Sequence, residues 1–478
     1  MSLLIPGTNS IKDTGYNVAN SLRLDEPSNS GLTKTPSGAG NRRTFTLSTW
    51  VKRSKITNQT GDVQTMFESR ESNNDNCALT FQTDDTLSIK LKVSGTNKSL
   101  ITNRVFRDVS AWYHIVCAVD TTQSTASNRV KIYVNGVQET SFGTEDYPSQ
   151  DAQTSFNNSV GHGIGKRSDT TSQNFDGYLT EVVMIDGSAL APTSFGEFDS
   201  DSPTIWKPID ISGLTFGTNG FHLDFEDSSA LGNDVSGNNN DYSVSNLSAV
   251  DQSTDTCTNN FATLNSLDVT ESTGRSFSEG NLNYTSDSSN ASSARGTFGV
   301  NTGKWYYEVK IVSQSGSASS NGKFGTFGFT DIAEESDPAT NGLNIISDGR
   351  LRGQGSTGSV VGSPPLWGVG DILMFALDLD NQNLYVGKNG SWRASDGDFD
   401  DSSPSSAIFS SIDTTKFWTP FGQKNVSADN TLSYSMNFGS PSFSISSGNA
   451  DGNGHGNFEY AVPSGYFALC TKNLAESG

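Results

Sequence analysis

Positive charge is scarce in this 478-residue chain, which has 31 Lys and Arg against 52 Asp and Glu and a formal net charge of −21 at pH 7. A field of that sign repels phosphate backbones and argues against nucleic acid as a partner. Long apolar runs are also missing, so no membrane insertion is predicted. The first residues lack the basic region and apolar stretch of a signal peptide. We therefore expect synthesis in a cytoplasm without export by the commonest N-terminal route.

Cysteine is equally rare. The four cysteines are Cys77, Cys117, Cys257 and Cys470. They form no Cys-x-x-Cys pair and have no close His partner in sequence, so neither a zinc site nor a disulfide framework is indicated. The four histidines are too scattered to suggest a metal cluster from local spacing. Cys77 and Cys117 stand in strand-like apolar settings, where a free cysteine is typically a small buried hydrophobe.

Glycine and small polar residues are plentiful instead. Gly accounts for 48 residues and hydrophobic residues for only 33% of the chain, while Ser, Thr and Asn occur in almost every block. This composition favours short strands joined by polar turns, and amphipathic helices are hard to find. The length exceeds what one sandwich needs. The predicted fold class is therefore all-β, with two antiparallel β-sandwiches and a connector.

Two stretches predict a strand, a turn, a return strand and a second tight turn. In the segment 369–392, Ile372 to Leu377 is an unbroken apolar run of strand length. Asp380 to Asn383 then turn the chain, and Lys388-Asn389-Gly390 supplies residues that tolerate positive φ. The segment 112–136 repeats this logic and ends on Asn135-Gly136. Each half of the chain is thus predicted to be built around such a hairpin.

Alternating strands follow one another in the first half. Residues 43–53 alternate with period 2, and Phe45, Leu47 and Val51 share one face. The motifs FTLSTWVKRS, AWYHIVCAVDTTQSTASNRVKIYVNGVQ and FDGYLTEVVMIDGSAL resemble the laminin-G/pentraxin-like branch of the concanavalin A-like jelly rolls. More closely, they look like structural proteins of marine tailed phages. The resemblance covers roughly Asn20 to Phe198 and implies a two-sheet antiparallel sandwich of lectin type.

The composition changes after residue 200. The stretches GTNGFHLDFEDSSALGNDVSGNNND and NNFATLNSLDV are rich in Asn, Asp and Gly, which is typical of connecting segments. They also resemble the connector of those phage proteins. We therefore predict a concanavalin A-like sandwich over residues 1–207, a connector over 208–273 and a second sandwich over 274–478.

The second half carries a different set of motifs. GKWYYEVKI, GTFGFTD, VGDILMFALDLDNQNLYVGKNG, PFGQ and MNFG occur in this order between Gly303 and Leu474 and are similar to the SPRY domain. The resemblance implies a bent β-sandwich that binds partners through loops on one face and has no catalytic role.

One pair of carboxylates in the sequence could indicate a hydrolase. Asp378 and Asp380 lie on one strand face about 7 Å apart, a spacing comparable to a glycosidase pair. They stand where a strand ends in a turn, and Asp is a favoured turn former, so the structural interpretation is preferred. The first half also lacks the Glu-x-Asp-x-x-Glu arrangement of lectin-like glucanases. We therefore expect no enzymatic activity.

Two binding sites are suggested by residue type. Calcium prefers oxygen ligands. The candidate calcium ligands, which lie among flexible Gly and Asn residues, are Asp224, Asp227, Asp234 and Asp241. The commoner alternative is that the carboxylates of a connector are simply solvated. No other cofactor is indicated. Sugars stack on aromatic rings, and the candidates for glycan binding are Trp392, Trp367, Tyr147 and Asn389. Each aromatic side chain could equally anchor a loop in a core.

These features together predict a virion surface protein of a tailed bacteriophage. It would be a tail fibre, tip or receptor-binding component that contacts host surface glycans, assembled in the host cytoplasm with other virion proteins. A homo-oligomer, with a trimer favoured, is expected. The alternatives are a capsid-decorating spike with a structural role and a glycan depolymerase. The apolar segment from Leu3 to Pro6 is either an edge strand or a peg that docks the protein on the particle.

Overall fold

The computed structural model describes residues 15–56, 62–270, 273–287, 290–315, 325–334, 338–353, 366–425 and 431–478. They form two compact units, the first ending at Thr258 and the second running from Asn259 to Gly478. Strands dominate both units and pair antiparallel, apart from one short parallel pairing in the second unit. The predicted all-β class is confirmed. The segment Leu3 to Pro6 lies outside the described residues.

Over its described residues, the first unit consists of strands and short 3₁₀ turns. Its strands are β1 (Ser21–Leu24), β2 (Gly31–Lys34), β3 (Thr44–Arg53), β4 (Gln64–Arg70), β5 (Asn76–Phe81), β6 (Thr86–Val93), β7 (Thr96–Val105), β8 (Trp112–Asp120), β9 (Val130–Val134), β10 (Val137–Gln138), β11 (Phe142–Glu145), β12 (Gly161–Ile164), β13 (Gly177–Asp186), β14 (Gly196–Phe198), β15 (Trp206–Pro208), β16 (Phe221–Leu223), β17 (Ser243–Ser245) and β18 (Gln252–Ser253). The 3₁₀ turns are Ala126–Asn128, Pro192–Ser194 and Ala249–Asp251.

Two large sheets of the first unit enclose its core. One has the strand order β10-β9-β8-β3-β13-β1-β18, with β16 also paired to β13, and the other has the order β11-β7-β6-β5-β4-β12-β2-β17. Because side chains alternate along a strand, Phe45 and Leu47 of β3 point inward and meet Leu79 and Phe81 of β5 from the other sheet. The sandwich predicted for this half is therefore present.

The predicted connector is instead divided between the two units. In the first unit β16 pairs with β13, β17 with β2 and β18 with β1, and Phe221, Leu223 and Leu231 are buried in the core. From Asn259 onward the chain belongs to the second unit. The physical reason is that widely spaced apolar side chains among the Asn, Asp and Gly turns are sufficient to anchor the segment to existing strands.

In the part of the second unit that the structure describes, the chain forms a further series of strands and two helices. Its strands are β19 (Leu264–Val269), β20 (Arg275–Ser278), β21 (Asn283–Ser286), β22 (Ser292–Gly296), β23 (Lys304–Ser315), β24 (Gly325–Asp331), β25 (Leu343–Ile346), β26 (Leu351–Arg352), β27 (Ile372–Asp378), β28 (Asn383–Lys388), β29 (Ser391–Arg393), β30 (Phe399–Asp401), β31 (Phe409–Ser410), β32 (Trp418–Lys424), β33 (Thr431–Asn437) and β34 (Phe467–Ala468). The helices are α1 (Pro338–Asn341) and α2 (Thr471–Ser477). Over the described ranges, no helix is long and apolar enough to cross a membrane.

The second unit is organised around the predicted hairpin. Its sheets have the orders β19-β22-β32-β24-β25-β26 and β20-β21-β33-β23-β27-β28-β29-β30, with β31 and β34 attached to β28 and β23. Strands β27 and β28 pair from Leu373 with Lys388 to Asp378 with Asn383. Asn389 and Gly390 follow with φ of 50° and 88°, the left-handed conformation that a tight turn of this kind requires. The hairpin prediction is confirmed.

Candidate functional site

The outer face of the β4-to-β7 region carries a concentration of polar side chains. Along β6, Leu87, Ile89 and Leu91 point into the core. Because side chains of a strand alternate between its faces, Lys90 and Lys92 must point outward. The same alternation places Cys77 and Leu79 of β5 in the core and leaves Asn76 and Ala78 on the outer face. The face opposite the core thus carries polar side chains on adjacent strands.

The pairing register lines these side chains up across the sheet. Arg70 is paired with Asn76, Asn76 with Lys92 and Lys92 with Asn97, which makes one row across β4, β5, β6 and β7. Adjacent strands lie about 4.8 Å apart, so this row is about 15 Å long. In the next row Ala78 stands between Glu68 and Lys90. Its small side chain leaves space beside the longer ones.

A shallow depression of about 540 Å³, wide open to solvent, lies over these rows. We call it the basic depression. It is lined by Arg70, Asn73, Asn76, Lys90, Lys92, Asn97 and Arg167. Four of the seven side chains are cationic and the other three are amides, although the chain as a whole has a net charge of −21. The depression is therefore a positive region in an otherwise negative protein.

Neighbouring carboxylates hold the two guanidinium groups in place. Nε of Arg70 lies 2.9 Å from Oε1 of Glu68 and 3.2 Å from Oδ2 of Asp169. Arg167 reaches both oxygens of Asp169 at 3.1 Å and donates to Oε1 of Gln173 at 3.1 Å. Two carboxylates thus face four cations, and the local balance stays positive. Fixed cations of this kind form a preorganised surface, since little side-chain freedom remains to be lost on binding.

Two groups in the basic depression have unused hydrogen-bonding capacity. Burial lowers the pKa of Lys90, and the nearby positive charges of Arg70 and Arg167 lower it further. Across the described residues, no hydrogen bond or ion pair involves its ammonium group. Asn76 is only 4% exposed and donates from Nδ2 to the carbonyls of Ser72 and Asn73 at 3.1 Å, yet its Oδ1 has no acceptor role within the described structure. Within the described structure the ammonium of Lys90 is therefore available to a ligand, whereas Oδ1 of Asn76 is enclosed by the protein.

The aromatic residues predicted to stack on sugar do not form a binding surface. Trp392 is 3% exposed and packs with Tyr306 on one face of the second unit's sheet, and Trp367 is 2% exposed within the main core of that unit. A ring buried on both faces cannot stack on a ligand, so these two assignments are wrong for this structure. Tyr147 packs against the core of the first unit and donates its hydroxyl to Glu145 at 2.8 Å.

Asn389 is exposed, but its side chain is already engaged. Its Oδ1 accepts the backbone N–H of Ile372 at 2.9 Å, and its Nδ2 donates to Oδ1 of Asp371 at 2.7 Å. Both bonds shape the turn between β28 and β29. The structure therefore gives Asn389 a turn-forming role.

The carboxylates predicted to bind calcium support loops. Asp227 accepts the N–H and hydroxyl of Ser229, and Asp224 accepts the N–H of Glu226. Asp234 is buried and accepts backbone N–H groups on both oxygens, one of them from His222, while Asp241 accepts the N–H of Asp234. Within the described ranges, no group of three or more His, Cys, Asp or Glu side chains is placed to hold a metal ion. The predicted calcium site is not assembled there.

The carboxylate pair of the second unit is also occupied. Asp378 accepts from Asn381 at 2.9 and 2.8 Å and pairs with the ammonium of Lys304 at 2.9 Å. Asp380 accepts the backbone N–H of Gly303 at 3.0 Å. These contacts agree with the turn-forming interpretation made from the sequence.

The first unit has a counterpart among known families. Residues 27–193 match a family model described as the concanavalin A-like lectin/glucanases superfamily. No curated protein matches the chain. The matched range contains every residue that lines the basic depression.

Solved structures resemble parts of the chain at low identity. The SPRY domain of human HERC1 is 15% identical, covers 36% of this chain and 96% of its own, and has a TM-score of 0.28. A heptameric SAP-like pentraxin from Limulus polyphemus is 17% identical, covers 37% and 80%, and has a TM-score of 0.28. Domain 4 of AbnA, a GH43 arabinanase from Geobacillus stearothermophilus solved with arabinotriose, is 21% identical, covers 36% and 69%, and has a TM-score of 0.25. At these TM-scores the likenesses carry no argument about function. Residues 27–193 are thus similar to the concanavalin A-like lectins and glucanases.

Proposed function

We propose that the chain binds carbohydrate through the basic depression of its first unit. The observation that carries the proposal is a row of amide and cationic side chains across four adjacent strands of a lectin-like sandwich. Ligand sites typically combine a concave shape with a few fixed polar groups. The depression has both properties.

The chemistry of the lining suits sugar hydroxyls. A hydroxyl both donates and accepts hydrogen bonds, so it can accept from the ammonium of Lys90. The amides of Asn73 and Asn97 at the exposed rim add further donors and acceptors. Because the row lies on paired strands, the groups keep a fixed spacing, which lowers the ordering cost of binding.

In its wider context, we propose that the protein is a surface component of a tailed-phage particle, most simply a tail fibre or tip that touches host glycans. The support is the order of the sequence motifs in both halves together with two β-rich units. We further propose a homo-oligomer and no hydrolytic activity, since Asp378 and Asp380 are engaged in turn contacts. A capsid spike and a depolymerase are the competing functions.

The test of carbohydrate binding uses the full chain on an array of oligosaccharides that includes bacterial surface glycans. Replacing Asn97 and Lys92 by Ala changes one end of the row and should reduce binding at least tenfold, or about 1.4 kcal/mol. Lys131 is on β9 of the opposite sheet, so Lys131→Ala is the matched control and should bind normally. Equal binding by both variants would place the site elsewhere.

The virion role has its own tests. Mass spectrometry of purified particles should detect the chain, and its position in an electron-microscopy map separates a tail fibre from a capsid spike. Absence from particles would refute the virion role while leaving carbohydrate binding intact. Release of reducing ends from host glycans, abolished in Asp378→Asn, would establish a depolymerase.

A further inference from the structure

We infer that the ligand of the basic depression is an acidic saccharide, in which a carboxylate or sulfate group lies among Lys90, Arg70 and Arg167 and neighbouring hydroxyls bind the amides of Asn73 and Asn97 at the rim. The inference rests on the proposed carbohydrate-binding function and specifies its substrate class.

The charge balance favours an anion. Glu68 and Asp169 are the carboxylates that pair with Arg70, and Asp169 also pairs with Arg167. Lys90 forms no ion pair in the described structure. Burial and the charges of Arg70 and Arg167 lower its pKa, although the charge of Glu68, across Ala78, opposes this. A partly desolvated ammonium beside two guanidinium groups is unfavourable unless an opposite charge compensates it. A bound anion would supply that charge, whereas a neutral sugar would leave the repulsion unrelieved.

The register places the cations where one anion can reach several of them. Lys90 and Lys92 are two residues apart on one face of β6, about 7 Å along the strand. Arg70 lies two strands away in the row of Lys92, with Asn76 between them. Ala78, the partner of Lys90, leaves the space between Lys90 and Glu68 open. Carboxylate and sulfate oxygens accept strong charge-assisted hydrogen bonds from such groups.

The amides at the rim indicate that the anion is part of a larger polar ligand. Asn73 and Asn97 line the basic depression and are exposed. An amide presents both donors and an acceptor, and a carboxylate or sulfate oxygen can use only the donors. Hydroxyl groups next to an acidic group can use both, and sugar acids and sulfated sugars present this combination.

The test measures binding of the full chain by isothermal titration calorimetry. One matched pair of probes is trigalacturonic acid and its methyl ester, in which the negative charges are removed and each carboxyl gains a methyl group. A second pair is a sulfated galactan tetrasaccharide and its desulfated form, and inorganic sulfate serves as an anion without sugar. These arms separate carboxylate from sulfate recognition and saccharide from free anion. Raising the salt concentration should weaken binding of the charged probes only.

Three variants locate the site. Lys90→Gln should reduce affinity for the charged probe roughly tenfold or more and leave any weak binding of the neutral probe unchanged. Lys90→Arg keeps the charge and should retain most of the affinity. Lys131→Gln removes the same charge from the opposite sheet and should bind as the unaltered chain does. Circular dichroism spectra and thermal midpoints should match for all variants.

Each outcome has a distinct meaning. Preference for a charged probe that Lys90→Gln abolishes supports the inference. Equal affinity for charged and neutral probes, or binding of neutral probes alone, overturns it while the carbohydrate-binding proposal stands. Charged-probe binding that is unaffected by Lys90→Gln overturns the assigned site. Inorganic sulfate bound as tightly as the saccharides would reveal an anion site only and would overturn the inference. No binding of either charged saccharide would also overturn the inference, while the oligosaccharide array decides the carbohydrate-binding proposal.

Discussion

Removing residues 259–273 should strongly destabilise the second unit. A fragment that starts at residue 274 follows the boundary expected from composition, whereas one that starts at Asn259 follows the observed boundary. The additional segment carries Phe261 and Leu264, both almost fully buried. It also contains β19, which forms the edge of one sheet by pairing with β22. Both fragments are otherwise identical, which makes their comparison a direct test of the boundary.

The size of the effect follows from this burial. Each fully buried Phe or Leu side chain stabilises a fold by about 1.5–3 kcal/mol, so the two together contribute about 3–6 kcal/mol. Backbone bonds from Ala262 to the carbonyl of Leu469 and from Thr297 to that of Thr263, both 2.9 Å, would also be lost. Domains of this kind have total stabilities of only about 5–15 kcal/mol. The shorter fragment should therefore lose a large share of its stability.

Urea unfolding followed by far-ultraviolet circular dichroism measures the difference. We expect the fragment 259–478 to unfold cooperatively and the fragment 274–478 to have a much lower midpoint or no folded baseline. Phe261→Ala in the longer fragment should reproduce about 3–5 kcal/mol of the loss, the usual range for such a substitution. Equal midpoints for the two fragments would refute the reasoning, because the segment would then contribute no net packing energy.

Two further predictions concern the first unit. Burial lowers the pKa of His114 to about 3 and that of His162 to about 4, so below pH 6.5 the unfolded chain binds protons that the folded unit excludes. Lowering the pH from 7 to 5 should therefore reduce the free energy of unfolding by about 2 kcal/mol for each of the two histidines. Urea midpoints at both pH values measure this, and a His114→Gln variant that keeps the full pH dependence would contradict it. Separately, Lys52→Met leaves the buried carboxylate of Asp255 without its 2.7 Å ion pair and should cost about 3–5 kcal/mol. A thermal midpoint like that of Lys131→Met, the half-buried control on β9, would argue against this.

Local patterns predicted the strands better than the connections between them. The hairpin of β27 and β28 could be predicted because alternation and an Asn-Gly turn are encoded within twenty residues. The partners of β16, β17 and β18 are remote in sequence, so their pairing leaves no local signal. Polar turns hide the few apolar residues that anchor them. Such segments look like linkers when only composition is considered.

The residues of the basic depression could likewise be predicted only in part from local sequence patterns. Alternation along β6 predicts that Lys90 and Lys92 share a face, and that much is visible in the sequence. Arg70, Asn76 and Arg167 join them only through the sheet register and the loop after β12. The sequence wrongly suggests Trp392 as a glycan-binding residue, because an aromatic residue after a tight turn is often exposed. Here both faces of the sheet are covered, so the ring is buried.

The two ends of the first unit lie side by side. Thr258 Oγ1 accepts the backbone N–H of Val18 and donates to its carbonyl, both at 3.1 Å, and β18 lies directly beside β1. A domain whose ends adjoin can be inserted into a surface loop of another protein with a small loop-closure cost. The first unit could therefore be gained or lost as one inserted domain, without changes to the fold of the protein that carries it.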